Sequence, residues 1–223
     1  MESLLKKFFV SGYQKLFQII EIYSPLIPLL VFFLKKPGKA VWAKLLVIYW
    51  LVHICFVYSA THFFTGGNNN IMYIVLSGLT FCFFSLILEQ FLPPQKFKII
   101  NRIIIIIIVL FFFINAIWGE GISIFNSYSS AIANLILAAY CVYYYKLQLE
   151  KPQISLVEKL PSFWIVSGIF IYSAGNTFLF SVFSTLARNN PHNIAYDLWD
   201  INILLTLIMN IIFAKGIQCV SLK

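Results

Sequence analysis

The sequence predicts an all-α integral membrane protein: a bundle of seven transmembrane helices with the N-terminus outside and the C-terminus in the cytoplasm. Three observations predict it. Leu45–Leu88 runs 44 residues without an Asp, Glu, Lys or Arg, and Ile103–Gly119, Gly121–Tyr145 and Leu160–Ala187 are likewise uncharged. A bilayer core of about 30 Å is crossed by roughly 20 mostly apolar residues. The 223 residues are 61% hydrophobic and only 11% charged, against about a quarter charged in soluble domains. Positive charge, the third observation, alternates along the chain with the hydrophobic segments.

In chain order, residues 1–15 mix Lys6, Lys7 and Lys15 with apolar side chains. They read as an amphipathic segment on the membrane surface, with no small-residue cleavage site of the signal-peptide kind. Residues 16–223 read as one seven-helix domain. The helices are expected at Leu16–Leu34, Ala43–Phe64, Ile71–Leu92, Ile99–Trp118, Ile122–Tyr145, Leu160–Leu186 and Ile194–Ile217. The breaks between them have chemical causes. Pro93-Pro94, and Pro161 after Lys151-Pro152, cannot continue a preceding helix. Gly66-Gly67, Gly119-Glu120-Gly121 and Asn189-Asn190-Pro191 are turn formers.

The first, third and fifth connections and the C-terminal end carry 12 of the 16 Lys+Arg, among them Lys35, Lys36, Lys39 and Lys44. The even connections carry only Arg188. By the positive-inside rule the basic end is cytoplasmic. The net charge of +8 then faces anionic membrane lipids, and no nucleic-acid partner is expected. The four cysteines form no CxxC pair and read as small buried hydrophobes.

Polar groups in a membrane bundle mark its inward faces. Tyr73, Ser77 and Thr80 recur at helical spacing, as do Ser127, Ser130, Asn134 and Cys141, and Asn202, Thr206 and Asn210 below Trp199. Gly168, Gly175 and Asn176 fall on the sixth helix. These stripes imply either close helix packing or an interior cavity for a small amphiphile or lipid, lined by Tyr73, Thr80, Asn134, Trp164, Asn176, Trp199, Asn202, Thr206 and Asn210. His53 is the one titratable group expected at mid-membrane, and a packing role is the simpler reading of it. Glu21, Glu89, Glu120, Asp197 and Asp200 are expected near span ends, which argues against proton coupling. Neither HExxH nor GxSxG occurs, and Lys215 sits too near the cytoplasmic end for a Schiff-base pocket. The expectation is a non-enzymatic protein without a cofactor. His62, Glu120, His192, Asp197 and Asp200 map to the outer rim, where they would form either a shallow metal site or ordinary solvated loop ends.

Several segments resemble a family of small seven-span membrane proteins of Bacteroidota, often found near or joined to sensor histidine kinases. The resemblance runs along nearly the whole chain. It rests on Tyr23–Pro28, Asn69-Asn70 with Tyr73, Phe125-Asn126-Ser127-Tyr128, Leu160-Pro161-Ser162-Phe163-Trp164 leading to Gly168, Tyr172 and Gly175-Asn176, and Trp199 with Asn210 and Phe213-Ala214. The family pattern often has a glutamate where Thr80 stands, a histidine at Asn202 and an asparagine at Thr206. The resemblance implies a bacterial inner membrane and a protein partner, a histidine kinase or another complex subunit. The functional expectation is a sensory module or accessory subunit; the alternative is a small-molecule or lipid transporter with its cavity between the third, fifth, sixth and seventh helices.

Overall fold

The computed structural model describes residues 2–35, 37, 40–63, 69–92, 95–122, 125–150, 157–189 and 194–220, and all their side chains except those of 2–12, 96, 184, 187–189 and 194–196. Among them are eight α-helices and no strand: α1 Glu2–Tyr23, α2 Leu26–Lys35, α3 Val41–His62, α4 Asn70–Glu89, α5 Gln95–Trp118, α6 Ser127–Glu150, α7 Pro161–Asn189 and α8 Ile194–Val220, with a short 3-10 helix, Val157–Lys159, before α7. Among the described residues, six helical rods are long and apolar enough to cross a membrane: Tyr13–Lys35, α3, α4, and the greater parts of α5, α7 and α8. That is the pattern of a multi-pass membrane protein. The 24-residue α6 falls outside this class, because serines, Asn134 and five tyrosines dilute its apolar character.

The expected first helix is two helices. Pro25 has no N–H to donate to the carbonyl four residues back, which is that of Glu21. The chain turns at Ser24-Pro25 instead, with the Ser24 N–H bonded to Ile20 O at 2.9 Å and the Leu29 N–H to Pro25 O at 3.3 Å. The α1 backbone continues without a break across residue 15; the side chains of the expected interfacial segment lie largely outside the described residues. The fifth helix also differs from expectation. It begins at Ser127 rather than Ile122, because Gly121 adopts a φ of +80° and the Glu120 carboxylate caps the helix farther on.

Rods consecutive in the chain run antiparallel. At one end the start of α3 meets the end of α4 (Trp42–Phe91, 6.0 Å between ring centres), and the start of α5 meets the end of α6 (Phe97–Tyr140, 5.1 Å). There too the Cys219 thiol near the end of α8 reaches Glu158 O at 3.7 Å. This is the basic end. At the opposite end the starts of α4 and α8 meet through Tyr73 and Trp199, 4.8 Å apart. The core between the ends is aromatic and aliphatic. Trp50, Phe84 and Phe213 lie fully buried, with Phe213 6.3 Å from Trp50 and 6.0 Å from Phe84.

The helices α7 and α8 are packed at close range, because three glycines leave no room for a side chain. A methyl group added at Gly168 would come within 2.7 Å of the Phe213 ring, at Gly175 within 2.6 Å of Leu205, and at Gly216 within 3.0 Å of Ile165. By contrast α5 is peripheral: only 17% of its apolar window is buried, against 33–50% in the other five candidate spans. Ile103, Ile106 and Ile107 accordingly face outward.

Candidate functional site

Five helices bring one polar chamber together. Glu21 of α1, His53 of α3, Tyr73, Ser77 and Thr80 of α4, Tyr172 and Phe180 of α7, and Trp199, Asn202 and Thr206 of α8 line it. The helical spacing explains the convergence. Tyr73, Ser77 and Thr80 share one face of α4, and Trp199, Asn202 and Thr206 one face of α8. The cavity measures about 30 Å³, enough for the centres of one or two water molecules and far short of a lipid chain. A second cavity of about 10 Å³, at the size of a single water, lies between α4, α5, α6 and α7. It shares Ser77, Thr80 and Tyr172 with the first and adds Ser130 and Asn134.

Glu21 is the chemical centre of the chamber. It is 6% exposed, and the Trp199 indole N–H donates to its Oε1 at 3.3 Å. The Tyr73 hydroxyl faces the same carboxylate, and Asp200 places a second carboxylate within electrostatic reach. Among the described residues only two salt bridges form, Arg102–Glu89 and Lys146–Glu150; neither involves Glu21. A buried carboxylate without a counter-ion carries a cost of several kcal/mol. Sequence reasoning placed Glu21 near a span end and so outside the site. The Pro25 break sets α1 against α3 and α8, which encloses it.

His53, read from the sequence as a packing residue, is 7% exposed and lines the same cavity. Neither ring nitrogen has a hydrogen-bond partner. The Glu21 backbone carbonyl, the one Pro25 deprives of its helical donor, lies beside the imidazole. Asn202 is 9% exposed, and its side-chain oxygen is likewise unpartnered. The chamber therefore holds a carboxylate, an imidazole and an amide oxygen with unspent hydrogen-bonding capacity.

Of the expected cavity residues, Tyr73, Thr80, Trp199, Asn202 and Thr206 line the first cavity, and Thr80 and Asn134 the second. Asn176 is buried with both amide atoms unpartnered but lines neither cavity. Asn210 donates to Ser24 Oγ at 3.1 Å, tying α8 to the α1–α2 turn. Trp164 is displaced from the site altogether. It stands at the basic end, where its indole N–H bonds Glu158 O at 2.7 Å. The expected volume for an amphiphile or lipid is also corrected: the bulky Tyr172, Phe180 and Trp199 fill the space that the small stripe residues leave.

The outer-rim residues do not converge on a metal site. Among the described residues no three His, Cys, Asp or Glu side chains gather to hold a metal, and His192 lies outside them. Glu120 is committed elsewhere. It accepts from Ser127 Oγ at 2.5 Å, from the Tyr128 N–H at 3.0 Å and from Asn115 Nδ2 at 2.8 Å, which caps the start of α6. Asn115 also bonds Asn126, and Asn126 donates to Phe112 O at 3.0 Å. His62 stacks on Tyr58 with 4.1 Å between ring centres. Of the cysteines, Cys141 and Cys219 are buried as expected, whereas Cys55 is exposed because it faces away from the α4 and α8 side of α3.

No protein-family model, curated protein or solved structure matches this chain.

Proposed function

We propose that this chain is a non-enzymatic inner-membrane protein of a bacterium, serving as a sensory module or accessory subunit of a membrane complex, and that the chamber around Glu21 receives its signal. One observation carries the reading: a carboxylate without a counter-ion is buried beside an unpartnered imidazole at the meeting point of five helices. An intramembrane ionisable group is expensive to maintain, and such groups ordinarily serve a function. Output would pass to a partner, such as a histidine kinase, through helix contacts or through the basic surface around Lys35 and Lys44. The basic end is assigned to the cytoplasm by its charge.

Native-membrane pull-down of the wild type beside Glu21→Gln tests this. The expected result is a stoichiometric membrane partner whose retention changes by several fold in the variant. A monodisperse monomer without a partner overturns it.

A transporter is the second reading. It draws on the second cavity, which lies between α4, α5, α6 and α7 and abuts the first through Ser77, Thr80 and Tyr172. Its single-water dimensions favour water or protons over a lipid as cargo. Flux of a small solute into proteoliposomes would favour this reading over the first.

A further inference from the structure

We propose that Glu21 and His53 form a buried proton-binding centre, in which the Glu21 carboxylate exchanges a proton with water in the chamber and His53 is the second acceptor. The inference rests on the chamber described above and names the signal that a sensory protein of this kind would read.

The Glu21 carboxylate is enclosed by α3, α4, α7 and α8, and among the described side chains these titratable groups face it. From α3 comes His53, from α4 Tyr73, from α7 Tyr172 and from α8 Asp200, itself beside Asp197. None is a lysine or arginine. One of these groups, Asp200, is itself a carboxylate, which adds to the demand for positive charge. Charge neutrality in the chamber is therefore met by something taken up from outside.

Three observations select a proton over a larger cation. The space admits one or two waters, so an organic ammonium does not fit. The Trp199 N–H already donates to the carboxylate at 3.3 Å, and a bound metal ion would have to compete with that donor for the same oxygen. His53 offers nitrogen and lacks any partner at either ring position, whereas hard monovalent cations prefer an all-oxygen shell. Protonation balances simply. One O–H bond forms on the Glu21 carboxylate, one O–H bond of a hydronium ion entering through the chamber water breaks and leaves neutral water, and the net charge of the site rises by one.

Proline 25 joins this chemistry to the fold. By withdrawing the helical donor from the Glu21 carbonyl, it places a free backbone acceptor beside His53. A proton on the imidazole would meet that carbonyl, at the one point where α1 and α2 are already parted. The Asn210–Ser24 bond at 3.1 Å anchors the same turn to α8.

Infrared difference spectroscopy on the full chain in lipid nanodiscs, between alkaline and acidic buffer, tests the proposal. In the wild type a carbonyl stretch of a protonated carboxyl group should appear on acidification and shift in heavy water. Glu21→Gln should lose that band. Trp199→Phe, which keeps the carboxylate but removes its donor, should move the band without deleting it, so the assignment holds even where Glu21→Gln fails to fold. His53→Asn should keep the band and displace its pH midpoint; an unmoved midpoint removes His53 from the centre. A Glu21 carboxyl band that is absent, or constant at every pH, overturns the proposal. So does a site that responds to sodium in place of protons. Infrared bands read the chain by itself, so a missing band with a partner retained in pull-downs sinks this inference alone. A titrating band without a partner sinks only the sensory role.

Discussion

Glu89 and Glu21 present the same residue in two settings. Glu89 ends α4 almost fully buried, but the Arg102 guanidinium reaches its Oε1 at 3.1 Å and Asn101 Nδ2 its Oε2 at 3.2 Å. Asn101 also donates to Ser85 O at 3.2 Å. The charge is matched, and the network ties α4 to α5. Asn101→Ala would leave a buried carboxylate and a carbonyl short of a donor. The expected loss is about 1–3 kcal/mol, seen as a lowered midpoint for denaturation in detergent. Glu21 has no such cation, which is why it draws a functional reading and Glu89 a structural one. The sequence alone did not separate the two. Both lie near the ends of apolar runs, and a partner contributed by a distant helix leaves no local trace. Tyr73, Thr80, Asn202 and Thr206 were legible because helical spacing places them on inward faces. Trp164 was misread because an aromatic near a helix end looks the same whether it lines a cavity or anchors the 3-10 turn before α7.

At the scale of elements, the spacing Glu21-x-x-x-Pro25 is the signal that sequence reasoning passed over. A proline four residues after an acid frees that acid's carbonyl, which a hydropathy reading of Leu16–Leu34 as one span does not register. Pro25→Ala should restore the missing N–H and close α1 onto α2. The expected outcome is a folded chain in which the Glu21 carboxyl titrates at a displaced midpoint in the infrared experiment, since the carbonyl beside His53 is withdrawn into the helix. An unchanged midpoint would show that the break is incidental to the chamber. The remaining helices were legible to within a few residues, because prolines, glycines and asparagines punctuate them. The late start of α6 was not. It depends on Glu120 reaching forward to Ser127 and Tyr128, a contact across the loop that composition does not reveal.

At the scale of the whole molecule, the basic connections gather at one end and Tyr73 and Trp199 of the Glu21 chamber stand at the starts of α4 and α8, toward the other. The orientation proposed from the positive-inside rule would put the chamber toward the outer side. A single-cysteine variant, Asn68→Cys in a chain without other cysteines, should react with a membrane-impermeant thiol reagent from outside intact cells; labelling only from the cytoplasmic side would invert the assignment. The alternation of rods was readable from the sequence as charge alternation, but which rods touch was not, since hydropathy treats all apolar faces alike. Gly168 and Gly175 suggested close packing without naming the partner; the structure supplies it, with Gly216, in the α7–α8 pair. Their consequence is mechanical. Helices α7 and α8 lie so close that a side chain at Gly168 would run into Phe213 and one at Gly175 into Leu205, so the pair forms a closely seated frame. Against that frame α1 and α2 part at Ser24-Pro25, held to α8 by Trp199 at Glu21 and by Asn210 at Ser24. A charge change at Glu21 therefore falls within one helical turn of the break, where a small displacement is carried the full length of the neighbouring helix.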